Sequence, residues 1–374
     1  MDWREQFLKT VGPGVLGGMS FGQWLHLLWQ ERFAVSPSRL PRAVSITVQS
    51  LQNSVFRALE NLRYGARLRD VQVEPPIFVL GHWRTGTTHL HQLLVQDARF
   101  AFPNGYQTAF PHTFLTTERF NARLLNFFLP KRRPMDNMEW SLASPQEDEL
   151  ALCSACGESP CLGWAFPRQR KKYDRYLTFR DASAGETARW CGALELFLKK
   201  LTLKHGRRLV LKSPPHTCRI RLLLEMFPGA KFVHIHRNPY VVFQSTRKLF
   251  LKMFAWVGLQ RPELEGLDDW ILEQYREMYD VFFEERPLIP SGSYHEVAFE
   301  DLERDPMGEV RQVYQALGLP EFGIVEADLQ RYVDSLRGYR KNEFPPLPAP
   351  LTERIRERWG RTIEEWGYGA NERG

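Results

Sequence analysis

The chain has 374 residues, 43% of them hydrophobic and 13% aromatic, which is enough to bury one large core with appended elements. Its 50 basic and 44 acidic residues leave a formal charge of +6, which favours anionic ligands or an acidic surface but identifies neither. No arginine-rich tail, zinc-finger spacing or aromatic RNA-binding signature accompanies this charge. We therefore expect no nucleic-acid partner.

The five cysteines are an odd number for a large domain and fit reduced thiols in the cytoplasm better than a disulfide framework. Three of them cluster as Cys153, Cys156 and Cys161, but no partner pair or histidine follows at the spacing of a zinc site. We expect a cytoplasmic protein with buried cysteines and without a structural metal.

An uncharged segment runs from Thr10 to Trp29 and is long enough to span a bilayer if it were helical throughout. Its glycines, proline and polar residues dilute the apolar content, and the charged start without a small-residue cleavage site differs from a signal peptide. We expect a helix docked on the domain. An aromatic-rich patch in it predicts either peripheral contact with a membrane or the lining of an apolar acceptor site: Met19, Phe21, Trp24, Leu25, Leu27, Leu28 and Trp29.

Helical spacing continues to about Arg69, with apolar residues at Leu51, Val55, Leu59 and Leu62, and a double proline at 75–76 then marks a change. We expect a helical N-terminal extension over residues 1–70, packed on or near the core. An α/β domain over residues 71–374 would follow, with a helical insertion around 110–205.

Short apolar runs followed by helical patterns recur through this second region. Alternation of this kind predicts a three-layer, P-loop-like α/β fold, in which a parallel sheet is flanked by helices and ligands bind at the carboxyl ends of the strands. The predicted strands are Ile77–Leu80, Leu209–Leu211, Phe232–Ile235 and Tyr294–Phe299, and the predicted helices are His89–Val95, Thr217–Phe227, one from Tyr240 onward, Pro306–Leu317 and Leu351–Trp366.

The segment Gly81-His82-Trp83-Arg84-Thr85-Gly86-Thr87-Thr88 joins the first strand to a helix, where backbone N–H groups bind phosphate. A nucleotide triphosphatase loop has the same glycine spacing followed by lysine, whereas Thr87 occupies the lysine position here. The positive charge lies at Arg84 instead. This pattern indicates a ligand held by a guanidinium and hydroxyls rather than a magnesium-bound triphosphate.

The residues Arg84, Thr85, Gly86, Thr87 and Thr88 resemble the 5'-phosphosulfate loop of the sulfotransferase superfamily that uses 3'-phosphoadenosine 5'-phosphosulfate (PAPS). A second motif of that superfamily places an arginine at a strand end and a serine eight residues later, for the 3'-phosphate. Arg237 and Ser245 reproduce that spacing.

The resemblance covers roughly residues 75–348 and is closest to the bacterial branch with helical insertions. In that branch a Tyr-Arg-Lys segment adds contacts to the 3'-phosphate, and Tyr339, Arg340 and Lys341 lie in the corresponding place. Relatives often carry a tyrosine near the adenine where this chain has Phe299, which keeps stacking but loses the hydroxyl. The resemblance implies PAPS as co-substrate, no metal, and a sulfuryl transfer to an acceptor hydroxyl.

Lys212 ends a central strand and matches the lysine that relatives direct at the transferring sulfuryl group, where an ammonium stabilises charge on the bridging oxygen. The catalytic base is open. Vertebrate cytosolic relatives have a histidine where this chain has Pro214, but His216 follows two residues later and its imidazole suits a general base. Asp148 and Glu149 are the other candidates.

These two carboxylates lie in a predicted helix start, Ser144-Pro145-Gln146-Glu147-Asp148-Glu149. Ser144 and Glu147 have the spacing of a capping box with Pro145 at the first helical position, which explains Glu147 without a catalytic role. Asp148 and Glu149 are not needed for that cap, although acidic residues in a first turn also stabilise the helix dipole.

Two other functions stay open from the sequence. A P-loop kinase or phosphotransferase would share the strand, loop and helix but would require magnesium. A non-catalytic module would hold an adenine nucleotide or anionic lipid through the same loop. The acceptor is expected to be a small molecule or lipid-like alcohol, and a carbohydrate or a phenol stays open. A lipophilic alcohol or glycolipid is favoured by the apolar N-terminal segment and by large apolar side chains in the insertion region: Phe114, Trp140, Trp164 and Phe166.

Overall fold

The computed structural model describes residues 3–129, 141–337 and 344–369. The strands in these ranges are Ile77–Leu80 (β1), Phe100–Ala101 (β2), Arg208–Lys212 (β3), Lys231–His236 (β4) and Tyr294–Ala298 (β5). The α-helices are Trp3–Val11 (α1), Phe21–Gln30 (α2), Leu40–Arg69 (α3), Thr87–Leu94 (α4), Gly105–Ala109 (α5), Phe114–Phe128 (α6), Asp148–Ala155 (α7), Leu162–Ala165 (α8), Arg170–Thr178 (α9), Ala184–His205 (α10), Ile220–Met226 (α11), Pro239–Val257 (α12), Leu267–Glu285 (α13), Phe299–Arg304 (α14), Pro306–Ala316 (α15), Glu326–Ser335 (α16) and Ala349–Glu365 (α17).

The five strands form one parallel sheet in the order β2-β3-β1-β4-β5. Every residue of β1 is buried, as expected of a strand covered on both faces. The predicted α/β fold with a parallel sheet and flanking helices is therefore confirmed. Sequence reasoning missed β2, because a two-residue strand carries no periodicity.

The register of the central strands sets the geometry of their carboxyl ends. Val79 of β1 is paired with Lys212, the last residue of β3, and Leu80 is paired with His234 of β4. Strand β4 therefore continues for two residues beyond the partner of Leu80. The loop after β1 and the segment after β4 consequently begin at the same edge of the sheet.

The chain forms two compact units, each assembled from several segments. We call the first the helical unit: Met1–Val73, Pro103–Gly206 and Leu249–Glu265. The second, the sheet unit, contains all five strands: Glu74–Phe102, Arg207–Lys248 and Gly266–Gly374. The division into an extension over 1–70 and a catalytic domain over 71–374 stays a prediction.

Helix α3 has an unusual distribution of polarity. Its apolar residues Leu51, Val55, Leu59 and Leu62 do lie on a helix, but all four are exposed. The buried side instead carries groups that hydrogen-bond other backbone segments of the helical unit. Arg42 donates to the carbonyl of Gly258 at 2.7 Å, and Asn53 donates to those of Gly17 and Met19 at 2.7 and 2.9 Å.

The uncharged segment 10–29 is not a continuous helix, because α1 ends at Val11 and α2 begins only at Phe21. Four residues of the expected apolar patch, Met19, Trp24, Leu27 and Leu28, are buried, and the Trp24 indole donates to Thr47 Oγ1 at 2.8 Å. Because these four side chains are buried, they do not face a membrane, which was one of the two roles considered for the patch. Within the described residues, no helix combines the length and apolar character needed to cross a membrane.

The predicted capping box at Ser144 and Glu147 is wrong, since α7 begins at Asp148. The backbone before it pairs with residues 103–106: Gly105 N donates to Ser144 O at 3.1 Å, and Gln146 N donates to Pro103 O at 2.9 Å. An extended backbone engaged in this way cannot start a helix. The capping box of this region is Asn104 with Gln107, which sequence reasoning overlooked.

We expect the buried ion pair between Lys200 and Glu60 to be essential for the stability of the helical unit. Lys200 Nζ lies 2.7 Å from Glu60 Oε1, with side chains 2% and 0% exposed, and it also donates to the carbonyls of Pro111 and His112. Burial lowers the pKa of Lys200, although Glu60 opposes this effect. Lys200→Met should lower the free energy of unfolding by about 3–5 kcal/mol, because it leaves a buried carboxylate unpaired.

Urea denaturation followed by circular dichroism measures this loss. Glu326→Gln, which breaks the exposed pair of Arg311 and Glu326, serves as control and should cost less than about 1 kcal/mol. Equal losses in the two variants would contradict the assigned role of the buried pair.

Candidate active site

The loop after β1 has a backbone that requires glycine at two positions. Gly81 and Gly86 have φ of 142° and 104°, in the region that L side chains rarely adopt. A Cβ on Gly81 would lie 2.5 Å from Ile235 O, and one on Gly86 would lie 2.3 Å from the ring of Phe299. Arg84 also has a positive φ, of 72°. The loop therefore turns tightly against β4 and α14 before it enters α4.

Two threonine hydroxyls of the loop have protein partners. Thr85 Oγ1 donates to His82 O at 2.8 Å and so closes the turn. Thr88 Oγ1 accepts from Lys212 Nζ at 3.3 Å. Thr87 and Thr88 are the first residues of α4, and the first N–H groups of a helix have no acceptor within that helix. Such a helix start favours an anion.

The two sequence motifs meet in the sheet unit, although Arg84 and Ser245 lie 161 positions apart in the sequence. Arg84 Nε donates to Ser245 Oγ at 2.8 Å, and Arg237 Nη1 lies 3.5 Å from Arg84 O. Ser245 is buried two turns into α12, which begins at Pro239, one residue before the predicted start at Tyr240. Two arginines from different strand ends thus share one small region.

The Arg237 guanidinium lies over the ring of Phe299, with 4.0 Å from its central carbon to the ring centroid. Burial lowers the pKa of Arg237; Glu300 opposes this effect and nearby Arg84 adds to it. The Phe299 ring therefore packs against both Arg237 and the Gly86 turn. This packing role differs from the adenine stacking considered for Phe299 from the sequence.

A hydrogen-bonded network fixes the residues on both sides of Arg237. His236 Nδ1 lies 2.9 Å from Tyr368 Oη, and the Tyr368 hydroxyl donates to Glu300 Oε2 at 2.8 Å. The other oxygen of Glu300 accepts from Asn238 N at 3.1 Å. His236 also stacks on Trp366 with their rings 4.7 Å apart. Sequence reasoning missed this network, because nothing in the motif spacing connects the C-terminal aromatics with β4.

Two histidines near the strand ends are fully buried. His82 packs beside Tyr275, and burial lowers its pKa to about 3, so it adds no charge to the loop at neutral pH. His216 lies in a 3₁₀ turn, Pro214–Cys218, which delays the helix predicted from Thr217 until Ile220. Its ring packs edge-on against Phe78 of β1 at 5.3 Å.

The carboxylate candidates Asp148 and Glu149 belong to the helical unit, in the first turn of α7, and both are fully buried. Glu149 Oε1 accepts from Ser159 Oγ at 2.7 Å. The structure thus brings Arg84, Arg237 and Ser245 together, with Lys212 beside the same loop. Tyr339, Arg340, Lys341 and Trp140 lie outside the described residues.

A cavity of about 740 Å³ lies within the helical unit. Residues of α2 and α10 form much of its apolar lining, including Leu27, Ala193 and Phe197. Ion pairs such as Arg175 with Glu186 and Arg189 with Glu158 add polar groups. Its size lies in the range of small-molecule sites. The buried residues Phe114, Trp164 and Phe166, expected to line an acceptor site, are not among its lining residues.

The thiols of the cysteine cluster have pKa values above the ordinary value of cysteine. Burial raises the pKa of Cys153 and of Cys161, and none of the five cysteines, all within the described residues, forms a disulfide. In residues 3–129, 141–337 and 344–369, no group of three or more histidine, cysteine or carboxylate side chains is arranged to hold a metal ion.

Two structural comparisons support the fold. Sulfotransferase STF9 from Mycobacterium avium has a TM-score of 0.72 at 21% identity, covering 92% of this chain and 91% of that one. Sulfotransferase STF1 from M. tuberculosis H37Rv has a TM-score of 0.63 at 20% identity, covering 91% and 92%. At these identities the likeness concerns the fold alone.

Sequence comparisons give evidence of the family as well as of the fold. A model described as the sulfotransferase family matches residues 75–323. Omega-hydroxy-beta-dihydromenaquinone-9 sulfotransferase Stf3, from M. bovis and from M. tuberculosis, is 40% identical over 352 residues, which cover 94% of this chain and 90% of the relative. The predicted sulfotransferase activity is confirmed by these matches: the chain belongs to the sulfotransferase family.

Proposed function

We propose that this sulfotransferase takes the sulfuryl group from PAPS and transfers it to the hydroxyl of a lipophilic alcohol. The observation that carries the donor assignment is the hydrogen bond from Arg84 to Ser245. It joins the loop that resembles a 5'-phosphosulfate site to the helix that resembles a 3'-phosphate site. Two phosphate-binding motifs in contact suit a nucleotide with phosphates at both ends of its ribose.

The side chains present fit such a donor. PAPS would supply an activated sulfuryl group on its 5'-phosphate. The Arg84 guanidinium and the first N–H groups of α4 would bind that end, and the tight turns at Gly81 and Gly86, where a Cβ would clash with neighbouring protein atoms, hold the loop that presents these groups. Arg237 and Ser245 would bind the 3'-phosphate. Tyr339, Arg340 and Lys341 are proposed as further contacts from the sequence motif alone.

Lys212 is proposed to stabilise negative charge on the leaving nucleotide. Its ammonium is buried at the end of β3 and donates to Thr88, the second residue of α4. A cation held in this way stabilises developing charge without reorganising during the reaction.

The base that takes the proton from the acceptor hydroxyl is Asp148, Glu149 or His216. All three side chains are fully buried, so burial does not distinguish them. His216 packs against Phe78, and the hydrogen bond from Ser159 orients the carboxylate of Glu149.

The acceptor class is inferred from the relative, whose name specifies an omega-hydroxylated dihydromenaquinone. Because the identity of 40% extends over nearly the whole of both chains, we propose an acceptor of similar chemistry, a long apolar molecule with an alcohol. The cavity between α2 and α10 is the proposed receiving site, since Leu27, Leu196 and Phe197 give it an apolar wall.

Donor binding is tested by calorimetric titration with the product nucleotide, 3'-phosphoadenosine 5'-phosphate, beside ATP with and without magnesium. We expect binding of the bisphosphate without magnesium, weakened about tenfold or more by Arg237→Ala, because a charge-assisted hydrogen bond is lost. Arg247→Ala is the matched control, since this exposed arginine of α12 pairs with Asp268. Preference for magnesium-ATP, or equal loss in the two variants, would reject the donor assignment.

Steady-state rates against pH identify the base among Asp148→Asn, Glu149→Gln and His216→Gln. Loss of the base should lower kcat by about 10²–10⁴-fold and remove the acidic limb of the rate profile, because that limb reports protonation of the base. Lys212→Ala is the comparison: we expect a loss of about a hundredfold or more with the acidic limb retained. If all three candidate variants keep that limb, the base lies elsewhere.

Acceptor binding is tested by filling the cavity. Ala193→Trp should raise KM for a lipophilic alcohol by about tenfold or more, because the indole occupies volume that the acceptor would need. Affinity for the bisphosphate should not change. Ala188→Trp, at an exposed position of the same helix, is the control. An unchanged KM in Ala193→Trp would place the acceptor elsewhere.

A further inference from the structure

An apolar stripe runs along the solvent-exposed side of α3. Its spacing of three and four residues keeps the side chains on one side of the helix over about 27 Å. These residues are 48% to 85% exposed: Val44, Val48, Leu51, Val55, Leu59 and Leu62. A stripe of this length exceeds the single exposed apolar residues that are normal on a protein surface. Its side chains are not buried by the packing of the helical unit.

Neighbouring helices contact other sides of α3. Thr47 accepts a hydrogen bond from the Trp24 indole of α2, and Ser54 accepts one from the backbone N–H of Phe21, the first residue of α2. Glu60 accepts from the backbone N–H of Thr116 in α6 and pairs with Lys200 of α10. None of these residues belongs to the stripe. The exposed side therefore stays available when the helical unit is fully packed.

The charges of α3 have one sign at its surface. Arg63, Arg67 and Arg69 are exposed, whereas Glu60, the one acidic residue between Leu40 and Arg69, is fully buried in its pair with Lys200. An apolar stripe accompanied by exposed arginines and no exposed carboxylate is complementary to a lipid surface with anionic head groups.

The same charges argue against a second copy as the partner of the stripe. Two α3 helices packed against each other would offer no carboxylate to the exposed arginines of either copy. Helices that associate through an apolar seam commonly gain from pairs of opposite charge beside it. Anionic lipids supply that complement, and α3 itself does not.

We propose that α3 lies along the surface of an anionic bilayer, with its apolar stripe in the acyl boundary and its arginines at the head groups. The inference deepens the proposed function, since it rests on a lipid acceptor. Arg57 of the same helix and Leu27 of α2 line the 740 Å³ cavity. A helical unit bound through α3 would therefore hold this cavity close to the membrane in which such an acceptor dissolves.

Co-sedimentation with vesicles tests the proposal. One set contains phosphatidylcholine alone and the other an equal mixture with phosphatidylglycerol. We expect wild-type protein to bind the anionic vesicles and to be released by salt. L51Q/V55Q should bind at least about tenfold more weakly, because two apolar side chains no longer favour the acyl boundary. R63E/R67E should lose the preference for anionic vesicles.

Leu264→Gln, at an exposed leucine outside α3, is the matched control and should bind like the wild type. Circular dichroism and the affinity for 3'-phosphoadenosine 5'-phosphate establish that each variant is folded. Wild-type binding that L51Q/V55Q retains, or no wild-type binding to either vesicle, overturns the proposal. So does a wild-type dimer in sedimentation equilibrium that L51Q/V55Q converts to monomer, because the stripe would then be an interface between copies.

The two proposals fail separately. Turnover of a short-chain alcohol dispersed in detergent does not need a bilayer, so it should survive in L51Q/V55Q if the proposed function is right. Vesicle binding without turnover of any lipophilic alcohol would reject the acceptor class and leave the membrane surface standing. Turnover of a lipophilic alcohol without vesicle binding would support the acceptor class and reject the membrane surface.

Discussion

The shared carboxyl edge of β3, β1 and β4 is the constraint on which the proposed donor site depends. Parallel strands present their carboxyl ends at one edge, and the pairing of Val79 with Lys212 and of Leu80 with His234 determines how far each strand reaches. The loop with Arg84 follows β1, Lys212 ends β3, and Arg237 follows β4. A change of register in any of these strands would break the hydrogen bonds from Lys212 to Thr88 and from Arg237 to Arg84 O.

Packing behind this edge keeps the charged groups in position. Phe299 lies under both Arg237 and the Gly86 turn, so one ring supports two parts of the site. His82 is held among aromatic rings and is neutral, which leaves the positive charge of the loop to Arg84. Two arginines so close together repel each other, and this repulsion is relieved when an anion lies between them.

The sheet and the motif residues were predictable from the sequence because both are local signals. Four strands showed as short apolar runs, and the loop and Arg237 motifs have fixed spacing. Contacts between distant segments were not predictable in this way. The register of 103–106 with 142–146 removed the expected capping box, and the Tyr368 network joins residues without a shared motif. The stripe on α3 predicted a helix correctly, but periodicity alone does not say which side of a helix faces solvent.

The link from Tyr368 to Glu300 and His236 also bears on how the enzyme is made. Every strand of the sheet has been synthesised by residue 298, yet the groups that hold both neighbours of Arg237 include Trp366 and Tyr368. A nascent chain still attached to the ribosome can therefore assemble the strands while the support behind Arg237, the arginine proposed to bind the 3'-phosphate, is incomplete. The support for the proposed donor site would be completed only once Tyr368 has been synthesised, after the last strand of the sheet.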